Sequence, residues 1–267
     1  MPRKFFLVLA ALTVLALGIF GFMKITGNEN HVLQPANENG IAVIELFTSE
    51  GCSSCPPADE LLSDLKTTMA GKNVFLLAFH VDYWNYLGWK DRFSDAAFSK
   101  RQSHYADVLH AEVYTPQMIV NGETVFVGSK RSEAIDAIGV ALKNPATTKI
   151  QFQNGYEKDE EQVKVQFNIL TESHGDDDLK DEVLNIALVQ KEAASEVARG
   201  ENGGKKLHHG NVVRSFISIG ASHEGSAEIS VPSELRNQTV TIVCYTQNKN
   251  SLEITGAGSA DVFLGSQ

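Results

Sequence analysis

The chain has 267 residues, 43% of them apolar, enough to bury a substantial core in one large or two ordinary domains and to exclude general disorder. Lys and Arg total 23 against 33 Asp and Glu, a net charge of −10, which argues against a phosphate-binding surface and gives no reason to expect a nucleic-acid partner. Three cysteines are too few for a disulfide scaffold in a chain this long, so each is judged by its neighbours.

The elements in chain order begin with an address. Arg3 and Lys4 precede an apolar run from Phe5 to Met23, close to the roughly 20 residues a helix needs to cross a hydrocarbon core. A signal-peptide cleavage site wants small residues two apart, and Gly18 and Gly21 are three apart, which favours an uncleaved inner-membrane anchor over a signal peptide (residues 1–23). In either case the basic flank stays cytoplasmic and the rest is expected to be extracytoplasmic, periplasmic or secreted, where disulfides persist. Residues 24–39 are polar and read as a tether. Ile41–Phe47 is a short β-branched run that predicts a buried strand. Ala58, Leu61, Leu62, Leu65 and Met69 then fall at helical spacing before Gly71, and Val74–Phe79 is a second central-strand pattern. Ser94 and Asp95 open a helix whose buried face carries Phe98, Tyr105 and Leu109. Asn121-Gly122 between two strand-like runs predicts a hairpin, and Ile135, Ile138 and Leu142 space a closing helix. The order is β-α-β-α-β-β-α over residues 40–145.

Beyond Pro145 the periodicity switches to two. Val163, Val165, Phe167 and Ile169, then Leu184, Ile186 and Leu188, then Ala227, Ile229 and Val231 alternate with mostly polar residues, and Gly155, the acidic run 176–178 and Gly203-Gly204 punctuate them. The expected fold is therefore an α/β unit over residues 40–145 followed by a smaller antiparallel β-sandwich-type domain over residues 146–267. Cys244 lies in an alternating run and reads as a buried small hydrophobe. His208-His209 beside Lys205-Lys206 reads as a polar loop before a strand.

Chemistry concentrates at Cys52-Ser53-Ser54-Cys55, where a predicted strand hands over to a helix. A thiolate there meets the positive end of the helix dipole and unsatisfied N–H groups, which lower its pKa below the free value of about 8.5. Two intervening residues bring the sulfurs to bonding range, with Cys52 expected as the exposed attacker and Cys55 as the buried resolver. Pro56-Pro57 suits the first helical turn. Far along the chain, Thr115-Pro116 leads into the hairpin at the place where a cis-proline loop would face the cysteines and offer the Thr115 backbone to an extended peptide.

The segments from Glu45 to Asp59, from Phe79 to Asp91 and from Val113 to Met118, with Gly200–Gly204 and Asn211–Arg214, resemble a secreted thioredoxin-like family of bacterial proteins of unknown function. The resemblance runs from about Ile41 through the C-terminal β region. It implies a thioredoxin fold with Cys52, Cys55 and Pro116 in the usual active-site roles. The pattern departs from ordinary thioredoxins in having Ser53-Ser54 for Gly-Pro, Gly51 for the usual tryptophan, and Glu45 one residue further from the first cysteine than the usual buried acid.

The function expected is an extracytoplasmic thiol-disulfide oxidoreductase acting on protein or small-thiol substrates, with an upstream redox partner and no cofactor. Ser53 and Ser54 offer hydrogen bonds to a thiolate but no charge. His80, Asp82 and Trp84 sit at the carboxyl end of the second strand, where sites collect in open α/β sheets. His80 is either a tuner of the thiols or part of a loop held by its own aromatic packing. Glu45 is either a paired core carboxylate or a proton relay, and the relay is favoured because a buried acid needs a reason. Two alternatives use other chemistry: a Cu(I) chaperone with Cys52, Cys55 and His80 as soft and imidazole ligands, and a non-catalytic thioredoxin-like binding protein whose β region meets a partner.

Overall fold

The computed structural model describes residues 40–152, 157–158, 161–172, 175 and 177–265. The N-terminal apolar run, the tether, Gly155 and Asp176 of the acidic run lie outside them. Strand β1 (Ala42–Thr48) is buried along its whole length. It is followed by α1 (Pro56–Thr68), β2 (Val74–His80), α2 (Ala96–Leu109), β3 (Gln117–Val120), β4 (Thr124–Val127) and α3 (Arg131–Ala141), the element order expected for this half. Local chemistry explains the boundaries. Pro56 and Pro57 occupy the first turn of α1, and Asp59 and Lys66 complement the two ends of its dipole. The Asp95 carboxylate caps α2 by accepting from the Ala97 N–H at 2.8 Å. Asn121 and Gly122 take positive φ values of 49° and 74° to turn β3 into β4. A Cβ on Gly122 would lie 1.8 Å from the Leu252 carbonyl oxygen, so only glycine fits where this turn meets the C-terminal half.

The rest is strand: β5 (Thr148–Phe152), β6 (Glu157–Lys158), β7 (Gln162–Thr171), β8 (Glu182–Glu196), β9 (Lys206–Gly220), β10 (Glu224–Ser230), β11 (Thr239–Asn248) and β12 (Ile254–Phe263). Here the expected fold class is overturned. Strands β12-β11-β8-β9-β2-β1-β3-β4 form one mixed eight-stranded sheet, in which β9 pairs in parallel with β2 at Ala78 and Val212. Among the described residues 44% are strand and 20% helix, with three α-helices, which is not an α/β thioredoxin-like fold followed by a smaller β-sandwich. The physical reason is the free edge of β2. An open strand edge must pair or be covered, and the two 15-residue strands β8 and β9 are long enough to reach it from the C-terminal half. A second sheet, β10-β7-β5 with β6 on β7, covers the far part of the large one.

Three apolar clusters follow. One lies between β1–β4 and helices α1 and α3. Another fills the space between the two sheets and includes Cys244, whose thiol burial pushes well above its ordinary range. The third joins both halves, with Phe47, Phe79, Phe98 and Tyr105 packed with Val189, Val213 and Tyr245. Among the described residues no helix is long and apolar enough to cross a membrane.

Arg101 of α2 reaches into this shared core. Its guanidinium donates to both Glu45 oxygens, at 3.0 and 2.7 Å, and to Tyr105, Tyr245 and Gln247. Burial disfavours its charge, but Glu45 outweighs that and holds the guanidinium pKa well above its usual value. Glu45 is thus a paired core carboxylate, and the proton-relay reading is withdrawn, since both its oxygens are spent on a fixed cation. Removing one member of such a pair strands the other. Glu45→Ala is expected to cost about 3–5 kcal/mol, read as a lower urea midpoint at unchanged slope.

Candidate functional site

The site begins where β1 ends. Cys52 and Cys55 form a disulfide with Cα atoms 5.5 Å apart, and Cys55 is the N-cap of α1. The pairing and the strand-to-helix position are as expected, but two details differ. Cys52 is only 1% exposed and Cys55 is fully buried, so neither sulfur is the exposed attacker the spacing predicts. The helix start also has few free donors. Pro56 and Pro57 have none, and the N–H groups of Ala58 and Asp59 both bond the Cys55 carbonyl. Nearby, the Gly51 N–H goes to Ser49 Oγ and the Cys52 N–H to the Ser49 carbonyl.

The cover over the pair comes from both halves of the chain. Ser53 and Ser54 are exposed, and Ser54 Oγ lies 3.4 Å from Cys52 Sγ and 3.5 Å from the Thr115 carbonyl oxygen. The Thr115-Pro116 bond is cis, and Thr115 Oγ1 accepts from Trp84 Nε1 at 2.8 Å. Gln102 of α2 fixes the same segment by donating to the Tyr114 carbonyl and Gln117. Gly51 lets Trp84 approach, since a Cβ there would lie 2.8 Å from Trp84 Cβ. From the other side comes the β8–β9 turn. Asn202, fully buried, donates to the carbonyls of Glu50 and Cys52 at 2.9 Å each, and the exposed Glu201 accepts from the Ser53 N–H.

Beside the disulfide lies a buried ionic cluster. Glu50, two residues before Cys52, accepts from Trp89 Nε1 at 2.7 Å. His209 of β9 stands 3.5 Å from Glu50 and 3.5 Å from Asp59 of α1, one carboxylate per ring nitrogen, within ion-pair range but long for hydrogen bonds. Burial works against the imidazolium, yet the two carboxylates win and raise its pKa to about 9. The His80 ring packs edge-on to His209 at 4.8 Å and bonds Asp91 at 2.7 Å. Burial would raise the Asp91 carboxyl, but His80 and the N–H groups of Glu50 and Phe93 hold it below the usual range.

Of the sequence-derived residues, Cys52, Cys55, Ser53, Ser54, Thr115 and Trp84 come together, and Pro116 adjoins them. His80 enters the buried cluster through Asp91. Asp82 does not join; its carboxylate and N–H hold Ser99 at the start of α2. Glu45 lies in the core pair. His209, Glu50, Asp59 and Asn202 were not foreseen as site residues, and His208-His209 is not a loop, since both lie in β9. The alternation of Leu207 and His209 with exposed Lys206 and His208 was the available signal. Among the described residues no group of three or more His, Cys, Asp or Glu is arranged to hold a metal ion.

A family model described as "Protein of unknown function (DUF1223)" matches residues 43–247. The chain belongs to this family. No curated protein matches it. Among solved structures it is similar to protein AGR_C_4864 from Agrobacterium tumefaciens, at 24% identity and a TM-score of 0.59 over 87% of this chain and 98% of that one. It is also similar to HBP35 of Porphyromonas gingivalis, at 15% identity and a TM-score of 0.57 over 84% of this chain and 76% of that one. These likenesses concern the fold of the DUF1223 chain and not its chemistry.

The raised His209 pKa makes stability depend on pH. A pKa of about 9 when folded, against 6.5 for the free group, gives stability fully present below pH 6.5 and lost as pH rises through 9. The loss is expected to reach about 3 kcal/mol, read by urea unfolding across that window, and His209→Asn should flatten it.

Proposed function

We propose that the protein is an extracytoplasmic thiol-disulfide oxidoreductase working through Cys52 and Cys55. The observation that carries the reading is a disulfide closed at the start of α1 with the Thr115 carbonyl beside its intervening serines. In one direction a partner thiolate attacks Cys52, the Cys52–Cys55 bond breaks, and Cys55 leaves as a thiolate that takes up a proton. A second partner thiolate then attacks the partner sulfur of the mixed disulfide, which releases Cys52 and leaves the partner oxidised. The reverse sequence reduces a partner disulfide, and an upstream redox partner resets the pair. The Thr115 backbone offers an extended peptide a place to lie across the pair. An apolar run behind Arg3 and Lys4, and the disulfide itself, support placement beyond the inner membrane with the N-terminal segment as its tether.

Exchange requires access that the closed arrangement limits. Cys52 becomes reachable when the Ser53-Ser54 segment and the Asn202 turn part, so the rate of attack is set partly by that opening.

Cys55→Ser is expected to leave Cys52 linked to partner proteins as mixed disulfides, seen as reducible bands on non-reducing gels and absent when Cys52 is also replaced. Cells that show no such species would count against the exchange reading. Asn202→Ala removes the two bonds that hold the Glu50 and Cys52 carbonyls, and reduction of the pair by dithiothreitol should become several-fold faster.

A further inference from the structure

Thiol exchange needs a thiolate, and the usual stabilisers at a helix start are scarce here. Pro56 and Pro57 bring no N–H, and those of Ala58 and Asp59 are taken by the Cys55 carbonyl. The Cys52 N–H is taken by Ser49 and the Ser53 N–H by Glu201. Ser54 Oγ at 3.4 Å from Cys52 Sγ is a neutral donor. Two cations lie near the pair: Lys205, whose ammonium donates to Asn202 Oδ1 at 3.0 Å on the turn that holds the Cys52 carbonyl, and the buried His209, placed on two carboxylates that are themselves tied to the cysteines. Glu50 is two residues from Cys52, and the Asp59 N–H bonds the Cys55 carbonyl at 3.2 Å.

We propose that His209 is a positioning residue for charge in the exchange reaction: its buried imidazolium, balanced by Glu50 and Asp59, sets the ionisation of the reduced Cys52–Cys55 pair. This rests on the exchange reading above. Glu50 from the loop after β1 and Asp59 from α1 face the imidazole. From β2 and the loop that follows come His80 and its partner Asp91, and Phe93 packs on the imidazole with Arg92 and Arg214 over its own face. In so enclosed a place charges act at low effective dielectric. A cation near a thiol favours the thiolate, and an unbalanced carboxylate opposes it. His209 therefore lowers the thiol pKa by placing one positive charge against the two negative charges of Glu50 and Asp59. In return, thiolate formation tightens the proton on His209, so the reduced pair and the cluster share their protons.

The test is the thiolate absorbance near 240 nm of the reduced full chain, titrated with pH and compared with a Cys52→Ser/Cys55→Ser background. His209→Asn is expected to move the titration up by about one pH unit. Adding Glu50→Gln to that variant should bring it back toward the parent, because it removes one of the two carboxylates left unbalanced. A role limited to packing gives no such opposite-signed pair of shifts in variants whose near-ultraviolet circular dichroism is native. Coincident titrations in the three folded proteins would overturn the proposal and leave the exchange reading intact. A parent disulfide that dithiothreitol does not reduce in the folded protein would remove the exchange reading, and the proposal with it.

Discussion

The parallel contact between β2 and β9 is the constraint on which the site depends. It closes the open edge of β2 and carries the large sheet from one half of the chain into the other. It also fixes where the β8–β9 hairpin ends. With Val212 opposite Ala78, His209 falls beside Glu50 and Asp59, and the turn before Lys206 falls on the Cys52 carbonyl. A one-residue slip would turn His209 to the opposite face, because side chains alternate along a strand. The site is therefore a product of strand register as much as of the Cys-Ser-Ser-Cys loop.

Two buried charge systems stand on the sheet, and they differ in how fully they are satisfied. Arg101 is held by directed bonds: both Glu45 oxygens, two tyrosines and a glutamine accept from it, and all come from elements locked in the shared core. Such a group has one arrangement and serves cohesion. His209 sits 3.5 Å from each of its carboxylates, with neither ring nitrogen in a close hydrogen bond. Its energy depends on charge more than on directed bonds. A group held in that way responds when a nearby charge appears, which fits its place near the Cys52–Cys55 disulfide and the redox role proposed for it.

What the sequence made legible is local. The strand-loop-helix around the cysteines, the Asp95 cap, the Asn121-Gly122 hairpin and the period-two strands follow from short-range rules, and the structure contains them. The error lay in the partner of β2. Val74–Phe79 announces a strand buried on both faces, but nothing in those residues says which strand lies on either edge, and the partner Val212 is more than 130 positions away. The same blindness hid the ionic cluster. Glu50 and Asp59 belong to the cysteine motif and His209 to a polar stretch, and only tertiary pairing gives the three a common meaning. Glu45 follows the mirror logic: its counter-ion Arg101 lies on a helix whose apolar spacing, Phe98, Tyr105 and Leu109, gives no sign that a guanidinium also points inward.

The hairpin holds the segment Glu50–Cys52 in two ways at once. Asn202 grips its backbone through the carbonyls of Glu50 and Cys52, while His209, seven residues on, faces the Glu50 side chain. Both grips are carried by the β8–β9 hairpin, Asn202 in its turn and His209 on β9. A displacement of the turn that frees Cys52 loosens the Glu50 backbone, and with it the carboxylate that helps keep His209 charged. In the proposed exchange, a thiolate formed at the pair would strengthen the hold on His209 and thereby on the strand that carries the turn. Under that reading, access to the sulfur and the charge near it both depend on the contact between β9 and the loop after β1.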